Sequence, residues 1–298
     1  MSRKKILILG GTKFLGSKLL EKLKFKKELQ IHVASRKSTD FGQYHSIERK
    51  NEEDLLNLFK AHTFDIVIDF ICYSQPDAKK LLDVIKVKAG YQPYVIMISS
   101  TYVYGNPLEL QVNKSYDENE FDPESYQYSE LDRPDSDYFE GKKSMEAYIA
   151  QNYQNYLLVR FPIIMGSNDY TGRTAYFSDL IKNSGTVSFD EMSGSSNFIF
   201  SQEAADVLSY FIAHPIQGAI NCSLEDELNQ SSILSLYCKF HGVPLRSVLV
   251  NEGLAIRSPF YYSKDFIINN ARLKSLVDLK SKFEPALFRE LTEMKLHP

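Results

Sequence analysis

A short apolar run that ends in two glycines and leads into a helical pattern constrains the fold of this chain more than any other feature. Residues 6–9 form a continuous apolar stretch, which is typical of a parallel strand covered on both faces. Gly10 and Gly11 follow at once, and from Thr12 onward apolar residues recur at helical spacing. The order of strand, glycine turn and helix predicts a site where a helix N-terminus faces a pyrophosphate.

The first half of the chain repeats this alternation. Strands are predicted at 30–35, 65–70, 94–99 and 156–161, and helices at 53–60, 77–86 and 142–152. This rhythm predicts an α/β fold with a Rossmann-type, doubly wound parallel sheet.

Composition and charge exclude several classes of protein. The formal net charge of −3 lacks the basic footprint of a nucleic-acid binder, and the apolar runs are far too short for a membrane span. The basic start of the chain does not indicate a signal peptide, because its apolar stretch is short and runs into glycines. Three distant cysteines indicate a reduced, cytoplasmic protein, and the histidines show no metal-ligand spacing, so no metal is expected.

The acidic segment 106–137 breaks the alternation. Residues 115–140 carry ten acidic residues and one arginine, together with several tyrosines and two prolines. The aromatic content is too high for a solvated coil, so we expect an ordered loop that acts as a lid. A partner surface is the alternative.

The glycine turn supplies the first candidate ligand contacts. Gly10 permits a tight turn, and Gly16 allows the helix to pack closely on the sheet. Lys13 stands where the middle glycine is usual, so its side chain must point away from a phosphate or onto one. The predicted contacts are Gly10, Thr12, Lys13, Phe14, Leu15 and Gly16. A glycine-rich turn without a ligand is the alternative.

The end of the second strand indicates which dinucleotide is bound. An NAD enzyme usually places an acidic residue there to hold the ribose 2′-hydroxyl. This strand instead ends in Ser35, Arg36 and Lys37, a hydroxyl and two cations that suit the 2′-phosphate of NADP. We therefore favour NADP over NAD; solvated loop charges are the alternative. Glu48 is a candidate neighbour of the adenine.

A second group of residues suggests proton-transfer chemistry. Tyr138 and Lys142 are four residues apart, which on a helix places both on one face. A phenol has a pKa of about 10, and a neighbouring ammonium favours the phenolate. Ser100 and Thr101 follow a predicted strand, so their hydroxyls are expected at the ligand-binding edge of the sheet. A surface tyrosine and lysine would show the same spacing.

Together these motifs resemble the extended short-chain dehydrogenase/reductase family, which includes nucleotide-sugar epimerases and dehydratases. The match is closest to an atypical branch whose turn reads Gly-Gly-Thr-Arg/Lys-Phe-x-Gly and which is similar to chloroplast stem-loop RNA-binding proteins. The segments that carry the resemblance are Gly10-Gly-Thr-Lys-Phe-Leu-Gly16, Ser99-Ser-Thr-Tyr-Val-Tyr-Gly105, Tyr138-x-x-x-Lys142, Arg160-Phe-Pro-Ile-Ile-Met-Gly166, Asp169-Tyr-Thr-Gly-Arg173 and Phe198-Ile-Phe-Ser-Gln-Glu-Ala-Ala-Asp206.

The resemblance implies roles for individual residues. Ser100, Tyr138 and Lys142 are the implied catalytic residues, and Lys142 would also hold the nicotinamide ribose. Further implied cofactor contacts are Phe70, Cys72, Ser99, Phe161 and Ile163, with Cys72 as a pocket wall rather than a nucleophile. A nucleotide-sugar substrate carries a pyrophosphate, so Arg173 and Arg257 are candidate donors to it; surface arginines are the alternative. Asn168 is a further candidate substrate contact, and Thr101 could replace Ser100 in holding the substrate oxygen.

The resemblance also implies an organisation and a function. Residues 1–165 would form the NAD(P)-binding domain, and 166–298 mainly a smaller, irregular substrate lobe with segments returning to that domain. The expected activity is an NAD(P)-dependent oxidoreductase or epimerase acting on a nucleotide-linked sugar, as a homodimer. The alternative is a non-catalytic NAD(P)-binding regulatory or RNA-associated protein. The intact Tyr138–Lys142 pair and the acidic segment disfavour RNA, so no nucleic acid is expected.

Overall fold

The computed structural model describes residues 3–128, 137–183, 193–245 and 258–296. The strands are β1 (Lys4–Leu9), β2 (Leu29–Ser35), β3 (Gln43–Ser46), β4 (Ile66–Asp69), β5 (Tyr94–Ser100), β6 (Lys114–Tyr116), β7 (Tyr156–Phe161), β8 (Ile164–Met165), β9 (Ile199–Phe200), β10 (Gly218–Asn221) and β11 (Phe266–Ile268). The helices are α1 (Leu15–Leu23), α2 (Glu52–Ala61), α3 (Gln75–Lys86), α4 (Tyr138–Asn152), α5 (Tyr176–Lys182), α6 (Ser201–Ala213), α7 (Gln230–His241), α8 (Ala271–Lys274) and α9 (Phe283–Leu296). Short 3₁₀ turns cover Thr101–Tyr104 and Glu118–Glu120.

The central sheet has seven strands in the order β10-β7-β5-β4-β1-β2-β3, and its neighbouring strands run parallel. β1 pairs with β2 on one side and with β4 on the other, so the strand order reverses beside β1. The carboxyl ends of β1 and β4 therefore flank the crevice where open α/β sheets bind ligands. The predicted doubly wound α/β fold is confirmed.

Side-chain alternation along β1 distributes its residues between two apolar layers. Ile6 and Ile8 pack on one face with α1 and α6, and Leu7 and Leu9 pack on the other with α2, α3 and α4. All four side chains are fully buried. Burial on both faces is why this strand is a continuous apolar run in the sequence.

The C-terminal half both completes the sheet and builds a second core. β10 pairs with β7 at the sheet edge, and α6 packs against α1. A separate cluster of buried aromatic side chains includes Phe177, Phe198, Phe260 and Phe283. The C-terminal half therefore joins the central sheet to the second core.

The described part of the acidic segment is fastened to the body of the protein. β6 pairs with β11 in parallel. Arg160, fully buried on β7, forms an ion pair with Glu146 and donates hydrogen bonds to the carbonyls of Glu118 and Phe121 at 2.9 and 3.0 Å. Residues 129–136 of the predicted lid lie outside the described residues.

The helices of the described ranges are too short or too polar for a bilayer. None of them combines the length and the apolar character needed to cross one.

Candidate functional site

A cleft of about 800 Å³ opens at the carboxyl edge of the sheet, where β1, β2 and β4 end. The glycine turn forms one wall, and the residues after β2 and β4 form the others. The predicted cofactor residues that line it are Gly10, Thr12, Lys13, Phe14, Leu15, Gly16, Ser35, Arg36, Lys37, Glu48 and Phe70. None of residues 106–128 lines this cleft.

The backbone of the glycine turn is shaped for a close ligand. Gly10 and Gly11 have φ values of +79° and +72°, which side chains rarely allow. A Cβ on Gly16 would lie 2.1 Å from the Gly11 Cα, so only glycine fits there. The first turn of α1 carries no acidic side chain. A dinucleotide pyrophosphate therefore fits this cradle, next to the N-terminus of α1.

Two cations stand at the end of β2. Arg36 and Lys37 are exposed in the cleft wall, whereas Ser35 is buried and donates its hydroxyl to the Lys37 carbonyl at 2.7 Å. The Arg36 guanidinium lies 3.7 Å from the carboxylate of Glu48, which follows β3. Glu48 thus brings a carboxylate to this wall of the cleft, whereas β2 itself carries no acidic residue.

A buried ion pair fixes the backbone after β4. Arg49 donates two hydrogen bonds to one oxygen of Asp69, at 3.0 and 2.8 Å. Burial alone would lower the pKa of Arg49, but Asp69 outweighs it and the pKa is raised. The other Asp69 oxygen accepts the Ile71 N–H. The Arg49 Nη1 is buried without an acceptor among the described residues, and Arg49 lines the cleft, so it is a donor that sequence reasoning missed.

The Tyr138–Lys142 pair comes together at the start of α4. Asp137 caps the helix by accepting the N–H groups of Phe139 and Glu140. Lys142 is 2 % exposed, and its Nζ lies 5.9 Å from the centre of the Tyr138 ring. Tyr138 is 45 % exposed. A buried cation therefore lies beside a phenol that an outside molecule can reach.

Two carbonyls hold the Lys142 ammonium in place. Its Nζ donates to the carbonyls of Cys72 and Ile98, both at 2.8 Å. Ile98 lies near the end of β5, and Cys72 follows the end of the neighbouring parallel strand β4. The ammonium is thereby fixed between the cofactor cleft and Tyr138.

The three neighbouring hydroxyls at the end of β5 face different surroundings. Ser100 accepts the Tyr102 N–H at 3.2 Å, and Thr101 is fully buried with a hydroxyl that has no partner among the described residues. The Ser99 hydroxyl donates to Glu146, within the buried ion pair of Arg160. Strand alternation therefore turns the Ser99 hydroxyl away from the cleft.

Three other predicted cofactor residues, Cys72, Phe161 and Ile163, do not line the cleft. The Cys72 thiol is fully buried, and burial raises its pKa well above the usual range, so it has no thiolate character. Only its backbone carbonyl meets the site, through Lys142. Phe161 and Ile163 belong to hydrophobic clusters, and Ile164 lines the cleft instead.

The predicted substrate residues are less closely grouped. Asn168 is exposed and does not line the cleft. Arg173 is half-buried near Tyr102: burial raises the pKa of Tyr102, and the positive charge of Arg173 partly offsets the rise. The rings of Tyr102 and Tyr138 lie edge to face, 6.3 Å apart. Arg257 lies outside the described residues.

Two tyrosines at the cleft were not predicted. Tyr73 and Tyr170 both line the cleft, and they are 40 % and 69 % exposed. The Lys142 Nζ lies 5.0 Å from the centre of the Tyr73 ring. Burial, and then the nearby Tyr170 and Tyr138, raise the pKa of Tyr73 to about 12. Both tyrosines stand next to residues that the motifs do single out, Cys72 and Asp169.

A sheet that reverses its strand order at a glycine-lined cleft, with a tyrosine and a buried lysine beside it, defines a Rossmann-type dinucleotide-binding protein. The chain belongs to the NAD dependent epimerase/dehydratase family, whose model matches residues 6–223. The resemblance seen in the motifs is therefore confirmed. No curated protein sequence matches the chain.

Several solved structures have the same fold. A dTDP-glucose 4,6-dehydratase from Bacillus anthracis in complex with NAD superposes with a TM-score of 0.76 at 15 % identity, covering 99 % of this chain and 97 % of its own. A UDP-glucose 4-epimerase from Thermus thermophilus with NAD gives 0.75 at 13 %, covering 99 % and 100 %. A UDP-glucose 4-epimerase from Thermotoga maritima with UDP-glucose gives 0.74 at 17 %, covering 98 % and 99 %.

Proposed function

We propose that this protein is an NAD(P)-dependent oxidoreductase or epimerase that acts on a nucleotide-linked sugar. The observation that carries the proposal is the position of Lys142, buried between two strand-end carbonyls and the Tyr138 ring, next to a cleft shaped for a dinucleotide. A buried ammonium is costly unless it has such partners. Placing one beside an accessible phenol favours a proton-transfer role over a packing role.

Tyr138 is the proposed acid or base. In one direction the Tyr138 phenolate would take the proton of a substrate hydroxyl, and in the other the Tyr138 phenol would give its proton to the oxygen of a substrate carbonyl. Ser100, at the end of β5, would hold that substrate oxygen. Lys142 would orient the nicotinamide ribose. The bound nicotinamide would supply or accept the hydride at the neighbouring carbon.

The proposed substrate class rests on Arg173 and on the family. Arg173 is half-buried beside Tyr102, and no described carboxylate lies within ion-pair distance of it. An arginine in that setting suits a diphosphate, which a nucleotide sugar carries. The solved Thermotoga maritima epimerase is in complex with UDP-glucose, which supports the same class.

NADP is the proposed preferred cofactor. The β2 end presents Arg36 and Lys37 to the cleft with no acidic residue on the strand. We expect Arg36→Ala to weaken NADPH binding about tenfold and NADH binding less than twofold, because only the former has a 2′-phosphate. Lys60→Ala, an exposed lysine at the end of α2, is the matched control for lost charge. Equal weakening of both dinucleotides would contradict the NADP proposal.

The activity is tested with purified protein, NAD or NADP, and a panel beginning with UDP-glucose and dTDP-glucose, with products separated by chromatography. We expect turnover of a nucleotide sugar, and we expect Tyr138→Phe to lower it at least about a hundredfold while NADPH binding stays unchanged. Tyr210→Phe on α6, a residue that does not line the cleft, is the control. Full turnover by Tyr138→Phe would remove Tyr138 from the mechanism. Dinucleotide binding without turnover across the panel would favour the non-catalytic alternative.

A further inference from the structure

We propose that Lys13 and Tyr170 form a clamp that closes over the pyrophosphate of the bound dinucleotide, so that a loop from the C-terminal half completes the cofactor site. The inference rests on the proposed dinucleotide binding and adds two residues to it. Both side chains line the cleft, and they come from opposite halves of the chain. In this clamp Lys13 supplies the charge and Tyr170 the cover.

Lys13 lies in the glycine turn between Gly10 and Gly16. Its side chain is exposed, and its Nζ lies 5.6 Å from the centre of the Tyr170 ring. No described carboxylate lies within ion-pair distance of Lys13. The ammonium therefore rests on an aromatic face at the place where the first helix presents its N-terminus to a phosphate.

Tyr170 is held over the turn by a rigid loop rather than by its own burial. Asp169 accepts the N–H groups of Thr171 and Thr174, at 2.9 and 3.1 Å. The Thr174 hydroxyl accepts the Gly166 N–H, and the Tyr237 hydroxyl donates to the Thr174 carbonyl. These bonds fix the backbone on both sides of an exposed ring.

The base of the loop also touches the glycine turn directly. The rings of Phe14 and Tyr170 lie edge to face, 6.2 Å apart. A Cβ on Gly166 would lie 3.0 Å from the Phe14 ring, so the loop approaches the turn as closely as a glycine allows. Phe14 itself has a φ of +49°, an uncommon conformation for a residue with a side chain. The loop and the turn thus form one packed unit across the mouth of the cleft.

The Lys13 ammonium has two alternative contacts of different strength, the Tyr170 ring and a phosphate oxygen of the dinucleotide. An exposed cation on an aromatic face is weakly held, whereas a hydrogen bond from an ammonium to a phosphate oxygen is charge-assisted and stronger. A lysine ammonium is a compact charge on a flexible stem and can exchange one contact for the other. Lys13 would then turn from the Tyr170 ring to the pyrophosphate, while Tyr170 limits the access of water to the pair.

The test compares dinucleotide binding by Lys13→Met, Tyr170→Ala and Tyr170→Phe, using calorimetry with NADH, NADPH and ADP-ribose. The control is Lys24→Met at the opposite end of α1, because Lys24 is exposed and its Nζ also lies over an aromatic ring, 5.0 Å from the centre of Phe25. We expect Lys13→Met to lower the affinity for all three ligands about tenfold or more and to make these affinities less dependent on salt concentration. Lys24→Met should change binding less than twofold.

Tyr170 is tested in the same titrations. We expect Tyr170→Ala to weaken binding about threefold to tenfold and Tyr170→Phe to leave it unchanged, because the ring rather than the hydroxyl does the covering. In the Lys13→Met background, Tyr170→Ala should have a smaller effect, since coupled residues are not additive. Additive losses would mean that the two residues do not act as a clamp.

The outcomes separate this inference from the proposed function. If the unmodified protein binds neither dinucleotide, both are wrong. If it binds them and Lys13→Met binds equally well, the clamp alone is wrong. A loss confined to NADPH would place Lys13 on the 2′-phosphate and would also overturn the clamp.

Discussion

Three histidines in mutual ring contact should make the stability of this protein fall as the pH is lowered. The rings of His32, His45 and His62 lie 5.0 to 5.3 Å apart, and the His32 Nδ1 lies 2.9 Å from the His45 Nε2. His32 is 1 % exposed on β2. Burial, then His45, His62 and Lys5, lower the pKa of His32 from 6.5 to about 4.

The sign and size of the effect follow from proton linkage. Between pH 6.5 and about 4, His32 binds a proton in the unfolded chain but not in the folded one. Protons therefore favour unfolding in that window, and the free energy of unfolding decreases as the pH falls through it. The gap between the two pKa values corresponds to about 3 kcal/mol at full extent. Above pH 6.5 His32 makes no such contribution, and below about 4 no further loss comes from it.

Urea denaturation followed by circular dichroism measures this slope. The unmodified protein, His32→Gln and His214→Gln are compared from about pH 7.5 to about pH 4.5. Across this range the free energy of unfolding should fall by about 2 to 3 kcal/mol less in His32→Gln than in the unmodified protein. This difference does not depend on the stability of the variant at neutral pH. His214→Gln, an exposed position at the end of α6, should keep the original slope. If His32→Gln retains the original slope, the buried neutral histidine is not the source of the acid sensitivity.

Two further substitutions test the geometry of the sheet edge and of the core. Gly16→Ala should abolish measurable NADPH binding in a fluorescence titration and lower the thermal midpoint, since its Cβ would lie 2.1 Å from the Gly11 Cα. Retained affinity for NADPH would contradict the proposal that the glycine turn holds the pyrophosphate. Glu146→Leu should lower the free energy of unfolding in urea by about 3 to 5 kcal/mol, because the buried Arg160 charge then keeps its carbonyl contacts but has no carboxylate. The control is Asp83→Asn, which breaks an exposed ion pair with Lys79 and should lower the free energy of unfolding by less than about 1 kcal/mol. Equal losses for Glu146→Leu and Asp83→Asn would contradict the role of burial.

The sequence predicts the sheet well where strands are buried on both faces. The strand predicted at 156–161 coincides with β7, and the run at residues 6–9 lies within β1. β3 (Gln43–Ser46) was not predicted, because this four-residue edge strand is polar and only partly buried. β6 and β11 are also too short for a periodic pattern, and their pairing joins residues about 150 positions apart. Such long-range pairings leave no local signal.

The motifs indicate which backbone segments reach the cleft, whereas tertiary packing decides which way each side chain points. The turn from Gly10 to Gly16, which the motif spacing singles out, lines the cleft. Ser99 and Ser100 are adjacent hydroxyls in one motif, and only the strand pleat places the Ser99 hydroxyl against Glu146. Tyr170 is brought to the glycine turn by a loop from the other half of the chain. No single segment contains that contact.

The contacts of α9 determine how late in synthesis the cleft is completed. Glu290 in α9 accepts the N–H of Ser167, at the base of the loop that carries Tyr170. In the same helix Glu293 pairs with Lys18 of α1 at 3.0 Å. The glycine turn leaves the ribosome before α9, which supplies the contacts that brace it. A nascent chain could therefore fold its sheet and still lack a braced cofactor cleft until translation has passed α9.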